Sequence, residues 1–391
     1  MKNTNNKIAL LNKIDTLGTD VLVSHGFDIS AEAADAAGIM VRSADMHSMQ
    51  LGKGLLAIAR AGAGVNNIPI DRCSDEGIVV FNTPGANANG VKELTIAALL
   101  LSSRRIVDGI NWAATLAEQP DAAKQVEKGK SQFVGPELYG KTLGVIGLGA
   151  IGGMVANTAT KLGMNVIGCD PYMTVKAAWS ISRSVVKADT YDDIYAASDY
   201  ITLHVPSTDS TRGMINSETI AKMKDGVRLI NMARADLVVA ADLKQALENG
   251  KIASYVTDFP TAELLGVKGV IAIPHLGAST PESEENCAFM AANELVDYLE
   301  KGIIVNSVNY PSITEPPTAK HRMTVLHANI PSMLAQISQL FSSCGINIET
   351  LISQAKGTNA VSVFDTAETP TDDIIAAVSR IDGVRRILII D

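Results

Sequence analysis

Three polar residues stand where short apolar runs stop. Arg234 follows LINMA, Glu263 lies in TDFPTAE five residues beyond Asp258, and His275 follows VIAIP. An imidazole titrates near neutrality and can take or return a proton. A guanidinium offers a planar fork to a carboxylate. Taken singly, each type has a plainer use: a strand-end histidine is usually structural, a strand-end arginine an ion-pair partner, a loop glutamate solvated. Their order is what counts. If the runs are parallel strands, their C-terminal ends open on one crevice, and the three side chains can converge there.

A second constellation lies upstream. TLGVIGLGAIGGMVANTATKLGMNVIGCD contains G-x-G-x-x-G as Gly147, Gly149 and Gly152, enclosing Ala150 and Ile151. An apolar strand precedes it, an amphipathic helix follows, and a second strand ends in Asp170. Gly147 permits the tight turn, Gly149 the approach of a pyrophosphate, and Gly152 the close packing of helix on strand. The helix start leaves N–H groups free for phosphates. A carboxylate at 170 accepts both ribose hydroxyls and repels a 2′-phosphate, which points to NAD rather than NADP.

The elements that must position these residues alternate along the chain. Strands are expected at 38–42, 55–62, 77–82, 142–147, 165–170, 200–205, 227–233, 253–258 and 269–273. They are continuously apolar, as in parallel sheets covered on both faces. Long helices are expected over 91–109, ending at Gly109, and over 282–300. The reading is α/β, with two doubly wound parallel-sheet domains: residues 1–86 with 283–310, and residues 87–282. NYPSITEPPT reads as a linker, assigned to 311–318. Residues 319–391 then run βαββαβ, a ferredoxin-like order. In its first helix Met333, Leu334, Ile337, Phe341 and Cys344 share one face.

Composition narrows the classes. The 391 residues are 47% hydrophobic with net charge −9, enough apolar content for large cores and without the basic face of a nucleic-acid binder. No apolar run is long enough to span a bilayer, and the first residues lack a signal-peptide core. Cys73, Cys169, Cys287 and Cys344 are scattered, which fits reduced thiols in the cytoplasm and no metal framework.

The fingerprint, NMAR, TDFPTAE and PHLGAST occur here in the order found in the NAD-dependent D-2-hydroxyacid dehydrogenases, and the chain resembles that family throughout. The resemblance implies a flavodoxin-like substrate domain, a Rossmann NAD domain and a C-terminal ACT domain. It makes Arg234, Glu263 and His275 the catalytic set, with His275 exchanging the hydroxyl proton, Glu263 bonding its far ring nitrogen, and Arg234 holding the substrate carboxylate. Around NAD it places Pro206, Met232, Ala233, Asp258, Gly277 and Ala278 besides the fingerprint residues. ARAGAGVNNI resembles the family's carboxylate loop. Arg60, Gly62, Ala63 and Gly64, with Arg42, Ser43 and Asn87, are thereby expected to hold a phosphorylated 2-hydroxy acid. Glycines at 62 and 64 would let backbone N–H groups gather on an anion. The implied reaction takes 3-phospho-D-glycerate to 3-phosphohydroxypyruvate, the entry to L-serine synthesis, in a homo-oligomer (dimer or tetramer). An L-serine effector would sit at His327, Asn329 and Asn347. The alternatives are a dehydrogenase for glyoxylate, hydroxypyruvate or 2-hydroxyglutarate, and an NAD(H)-sensing binding protein. Departures from the family pattern are Ala235, Val239, VNNI, the short Glu263–His275 loop, and Ser332 after Pro331 where glycine is usual.

Overall fold

Runs of Val, Ile and Ala that show no alternation build the first sheet. The computed structural model describes residues 5–391, the side chain of Lys176 excepted. Strands β1 (Lys7–Leu10), β2 (Asp28–Ser30), β3 (Gly38–Val41), β4 (Ala57–Arg60) and β5 (Val79–Asn82) pair in parallel, in the order β2-β1-β3-β4-β5. Helices α1 (Thr16–Ser24) and α2 (Ile70–Asp75) belong to this part. β1 and β2 carry little pattern of their own and were not expected.

The central segment opens with α3 (Ala88–Arg104), α4 (Ile106–Ala114) and α5 (Ala122–Gly129). The single helix expected over 91–109 is thus two. Arg105 turns left-handed at φ 46, breaking the ladder, and its guanidinium bonds Asp108 and the Gln132 carbonyl. Gly109 lies inside α4 rather than ending a helix. There follow β6 (Thr142–Ile146), α6 (Ala150–Lys161), β7 (Asn165–Cys169), α7 (Val175–Ser180), β8 (Val185–Lys187), α8 (Tyr191–Ala197), β9 (Tyr200–Leu203), α9 (Ser217–Ala221), β10 (Val227–Asn231), α10 (Ala240–Glu248), β11 (Ile252–Thr257) and β12 (Val270–Ala272). The seven strands form one parallel sheet, β12-β11-β10-β9-β6-β7-β8. The order reverses beside β6, where a doubly wound sheet opens its crevice.

After α11 (Pro281–Lys301) come β13 (His321–Ala328), α12 (Met333–Ser343), β14 (Ile348–Lys356), β15 (Asn359–Thr366), α13 (Asp372–Ser379) and β16 (Val384–Ile390). The sheet is antiparallel, β14-β15-β13-β16. One face packs on its helices through Met323, Val325, Ile337, Phe341 and Phe364. Cys344 is exposed and Leu334 is 37% exposed, so the buried stripe of α12 is narrower than the five residues expected.

The other face joins Leu326, Val361, Val363 and Leu388 to Phe81, Tyr298, Ile304, Tyr310 and Ile313 in one core. The four-stranded sheet is therefore not a body of its own. The chain forms two compact units: residues up to Asn87 together with Pro281–Asp391, and Ala88–Thr280. The proline-rich stretch read as a linker is packed at its start. Tyr310 is buried and donates to the Ser74 carbonyl, and Ile313 pairs with Ile304. Its end is fixed by a fully buried arginine. Arg322 Nε and Nη2 bond the two oxygens of Asp365 at 2.7 and 2.9 Å, and Nη1 bonds the carbonyls of Lys301 and Glu315. No described helix is long and apolar enough to cross a membrane.

Candidate active site

In the central unit the three fingerprint glycines differ in what surrounds them. Gly147 has φ +88, and a Cβ there would lie 2.5 Å from the His204 carbonyl oxygen. A Cβ on Gly152 would lie 1.9 Å from the Gly147 oxygen. At Gly149 a Cβ would meet nothing within 4 Å, so this edge of the turn is open. Gly149 precedes α6 without a side-chain cap, leaving the helix's first N–H groups to a ligand. At the end of β7, Asp170 is held by two backbone N–H groups: Leu148 on Oδ2 and Tyr172 on Oδ1, each at 2.9 Å. Its orientation is thus fixed beside the turn.

Arg234, Asp258 and His275 follow β10, β11 and β12, which are neighbours in the sheet. The side chain of Asn231, at the end of β10, shapes the first turn. Its oxygen accepts from the N–H of Ala233 and Arg234, while its amide donates to the Arg234 carbonyl and to Tyr255. His275 stands on a left-handed residue, φ 49, with an exposed ring. Phe259 lies between the two catalytic candidates, its centroid 4.4 Å from the imidazole and 5.4 Å from the Arg234 guanidinium carbon. Neither Asn231 nor Phe259 was singled out by sequence. Asn231 opens NMAR, and Phe259 is the aromatic directly after Asp258.

Asp258 is buried. Oδ2 accepts from Gly277 N–H at 3.0 Å, and Oδ1 has no partner. Burial pushes its carboxyl above the usual range, opposed by the Gly277 bond and the charges of His275 and Arg234. An unpaired buried oxygen asks for a donor. A carboxamide N–H, such as the nicotinamide ring carries, supplies one. With the open Gly149 and the oriented Asp170, these residues fit NAD.

Glu263 is exposed and makes no hydrogen bond to the imidazole. The carboxylate that feels the charges of His275 and Arg234 here is Asp258. Pro206 follows β9 and its carbonyl accepts from Thr211. Met232 is buried, while Ala233 and Ala278 are half-buried. Behind the turn, His204 has its Nδ1 buried without a partner, and burial lowers its pKa to about 4.

The substrate candidates lie in the other unit. Arg60 Nε donates to the Arg42 carbonyl, and its guanidinium crosses Gly62, where a Cβ would lie 1.9 Å from Nη1. Gly62 is left-handed at φ +147, and Gly64 is not. Ala63 and Gly62 give their carbonyls to Asn82 and Thr83. The N–H groups of Arg42, Ser43 and Ala44 all point to Asn12 Oδ1 at 3.0, 2.9 and 3.0 Å. Asn87 closes the turn before α3. The three effector candidates do not meet within the chain. His327 is buried and bonds Ser362, and Asn329 bonds the Gly357 carbonyl. Asn347 is exposed beyond the opposite end of the sheet, where Ile348 pairs with Thr366.

Residues 97–277 match the family described as D-isomer specific 2-hydroxyacid dehydrogenase, NAD binding domain. D-3-phosphoglycerate dehydrogenase of Bacillus subtilis (strain 168) is 38% identical over 272 residues, 68% of this chain and 49% of that protein. The enzyme of that name from Archaeoglobus fulgidus is 38% identical over 326 residues, 79% and 58%. This chain thus spans about half the length of the curated relatives it matches. NAD-bound 3-phosphoglycerate dehydrogenase of Entamoeba histolytica superposes at TM-score 0.63 with 26% identity, over 78% of this chain and 99% of that one. A glyoxylate reductase from Paecilomyes thermophila gives 0.63 at 25% identity, over 78% and 98%.

Proposed function

We propose, from a chain whose residues 97–277 belong to the NAD-binding domain of the D-isomer specific 2-hydroxyacid dehydrogenases, that this protein oxidises 3-phospho-D-glycerate to 3-phosphohydroxypyruvate. The observation that carries the chemistry is the cluster at the ends of β10, β11 and β12. Buried Asp258 lies in the field of His275 and Arg234, with one oxygen left for a donor. Bound NAD would supply the hydride acceptor. His275 takes the hydroxyl proton, and its exposed ring suits exchange with water afterwards. Arg234 holds the substrate carboxylate by its planar fork and polarises the keto oxygen in reverse. Phe259 keeps the two at a fixed separation. Glu263 makes no hydrogen bond to the ring, so its assigned role requires its loop to move toward His275.

Arg42 and Arg60 are assigned to the phosphate. The Arg42–Glu284 ion pair favours a second reading, in which an unphosphorylated 2-oxo acid is the substrate. An NADH-oxidation assay decides. Purified protein is offered 3-phosphohydroxypyruvate, hydroxypyruvate, glyoxylate and 2-oxoglutarate, each with and without L-serine. The proposal expects clear preference for the phosphorylated acid. Preference for another keeps the mechanism and moves the substrate; no turnover of any returns the chain to an NAD(H)-binding role. The serine arm tests feedback control, and light scattering tests the expected homo-oligomer.

A further inference from the structure

The two arginines assigned to the phosphate are not equally placed. Arg60 is folded over Gly62 and fixed through Nε to the Arg42 carbonyl. Arg42 carries its guanidinium outward, and Nη2 lies 2.6 Å from Oε1 of Glu284, in the first turn of α11. Its backbone cannot easily retreat, because Asn12 grips the N–H groups of residues 42–44. One turn further along α11, the buried Cys287 thiol is pushed up by burial. The thiol also feels Arg60 and Arg42 in one direction and Glu284 in the other. These three charges therefore form a single cluster over one spot of the unit.

We infer that Glu284 is an internal counter-anion, seated on Arg42 where an anionic ligand must sit, and that it sets the affinity and selectivity for a phosphoryl group. This rests on the reading of Arg42 and Arg60 as the phosphate seat. Both partners are 42% exposed, so the pair is weak enough for a ligand to displace. The ligand best able to do so carries two negative charges and three acceptor oxygens, enough to engage both guanidinium groups. A neutral hydroxymethyl end cannot, and would leave the pair closed. Glu284 then acts twice against the anion, by holding its cation and by like-charge repulsion. In a chain of net charge −9 the local sign matters.

The test uses the full chain and inorganic phosphate as probe, by calorimetry, on wild type, Glu284→Gln, Arg42→Met and the double variant. Glu284→Gln is expected to bind phosphate about three- to tenfold more tightly at low salt, a gain that disappears in the Arg42→Met background. KM for 3-phosphohydroxypyruvate should fall by a similar factor, while KM for hydroxypyruvate stays. An unchanged or weaker phosphate affinity in Glu284→Gln, an equal gain with Arg42→Met, or no phosphate binding by any variant overturns the inference. Tighter phosphate without preference for the phosphorylated acid would instead sink the substrate reading and leave the counter-anion standing. Glu284→Asp, which keeps the charge, should stay close to wild type.

Discussion

At the residue scale, the proposed proton exchange rests on the exposed imidazole of His275 beside the buried Asp258. His275→Ala should cut turnover by about two to four orders of magnitude, the range for a general acid–base group, with NAD affinity kept; a stopped-flow trace and an NADH titration check both. Asp258, read from sequence as a cofactor contact, shares an electrostatic neighbourhood with His275 and Arg234, whereas Glu263 does not bond the ring. No spacing rule reports which of two carboxylates five residues apart turns inward. The steric demands at the fingerprint glycines are readable from sequence, and the distances a Cβ would make there agree with them. Gly152→Ala would push a Cβ into the Gly147 oxygen and should weaken NAD binding by about tenfold or more, an overpacking cost. Glu294 had no sequence signal at all. It is buried in α11, bonded by Asn306 on one oxygen and by nothing on the other, and burial pushes its pKa up to about 8. The folded protein keeps its proton to about pH 8, while the unfolded chain releases it near 4.5. Its contribution is therefore full below pH 4.5 and lost as pH rises toward 8. Glu294→Gln should flatten the fall in stability over that window by a few kcal/mol, measured as urea midpoints at pH 5, 7 and 9.

At the element scale, the strong apolar runs were found at nearly every expected position, because a strand buried on both faces must be continuously apolar. The misses are informative. β2 and β8 are three-residue strands at the edges of their sheets, partly exposed and so without a continuous apolar run. The break at Arg105 has no glycine or proline to announce it. Ser332 is the reverse case: the sequence flagged it where glycine is usual, and the structure holds it left-handed at φ 66 before α12, without a cap bond. Ser332→Gly should relieve that strain and stabilise the C-terminal sheet by about 0.5–1 kcal/mol, visible as a modest rise in Tm. A fall would mean that the hydroxyl has a role the fold does not display.

At the scale of the whole molecule, the division into units is the part the sequence hid. A βαββαβ module after a proline-rich stretch reads as an appended domain, yet one of its sheet faces is shared core with Phe81 and Tyr298. Hydrophobic patterning says that a face is buried, not what buries it. Arg322 and Asp365 lock the junction with both side chains fully buried. Burial alone would raise the Asp365 carboxyl, but its bonds to Arg322 and Thr318 win and hold it below the usual range. That support is present above the unfolded pKa near 3.8 and fades as pH falls through the lower folded value. Arg322→Met should cost about 3–5 kcal/mol by stranding a buried carboxylate, and pairing it with Asp365→Leu should recover much of the loss in a denaturant titration. The shared core also has a consequence in time. Synthesis runs from the N-terminus, so residues 88–280 have everything their sheet needs long before Leu388 is made. The five-stranded sheet thus completes its core only after the seven-stranded sheet that follows it in the chain, and Phe81 meets Tyr298 about two hundred peptide bonds after its own synthesis.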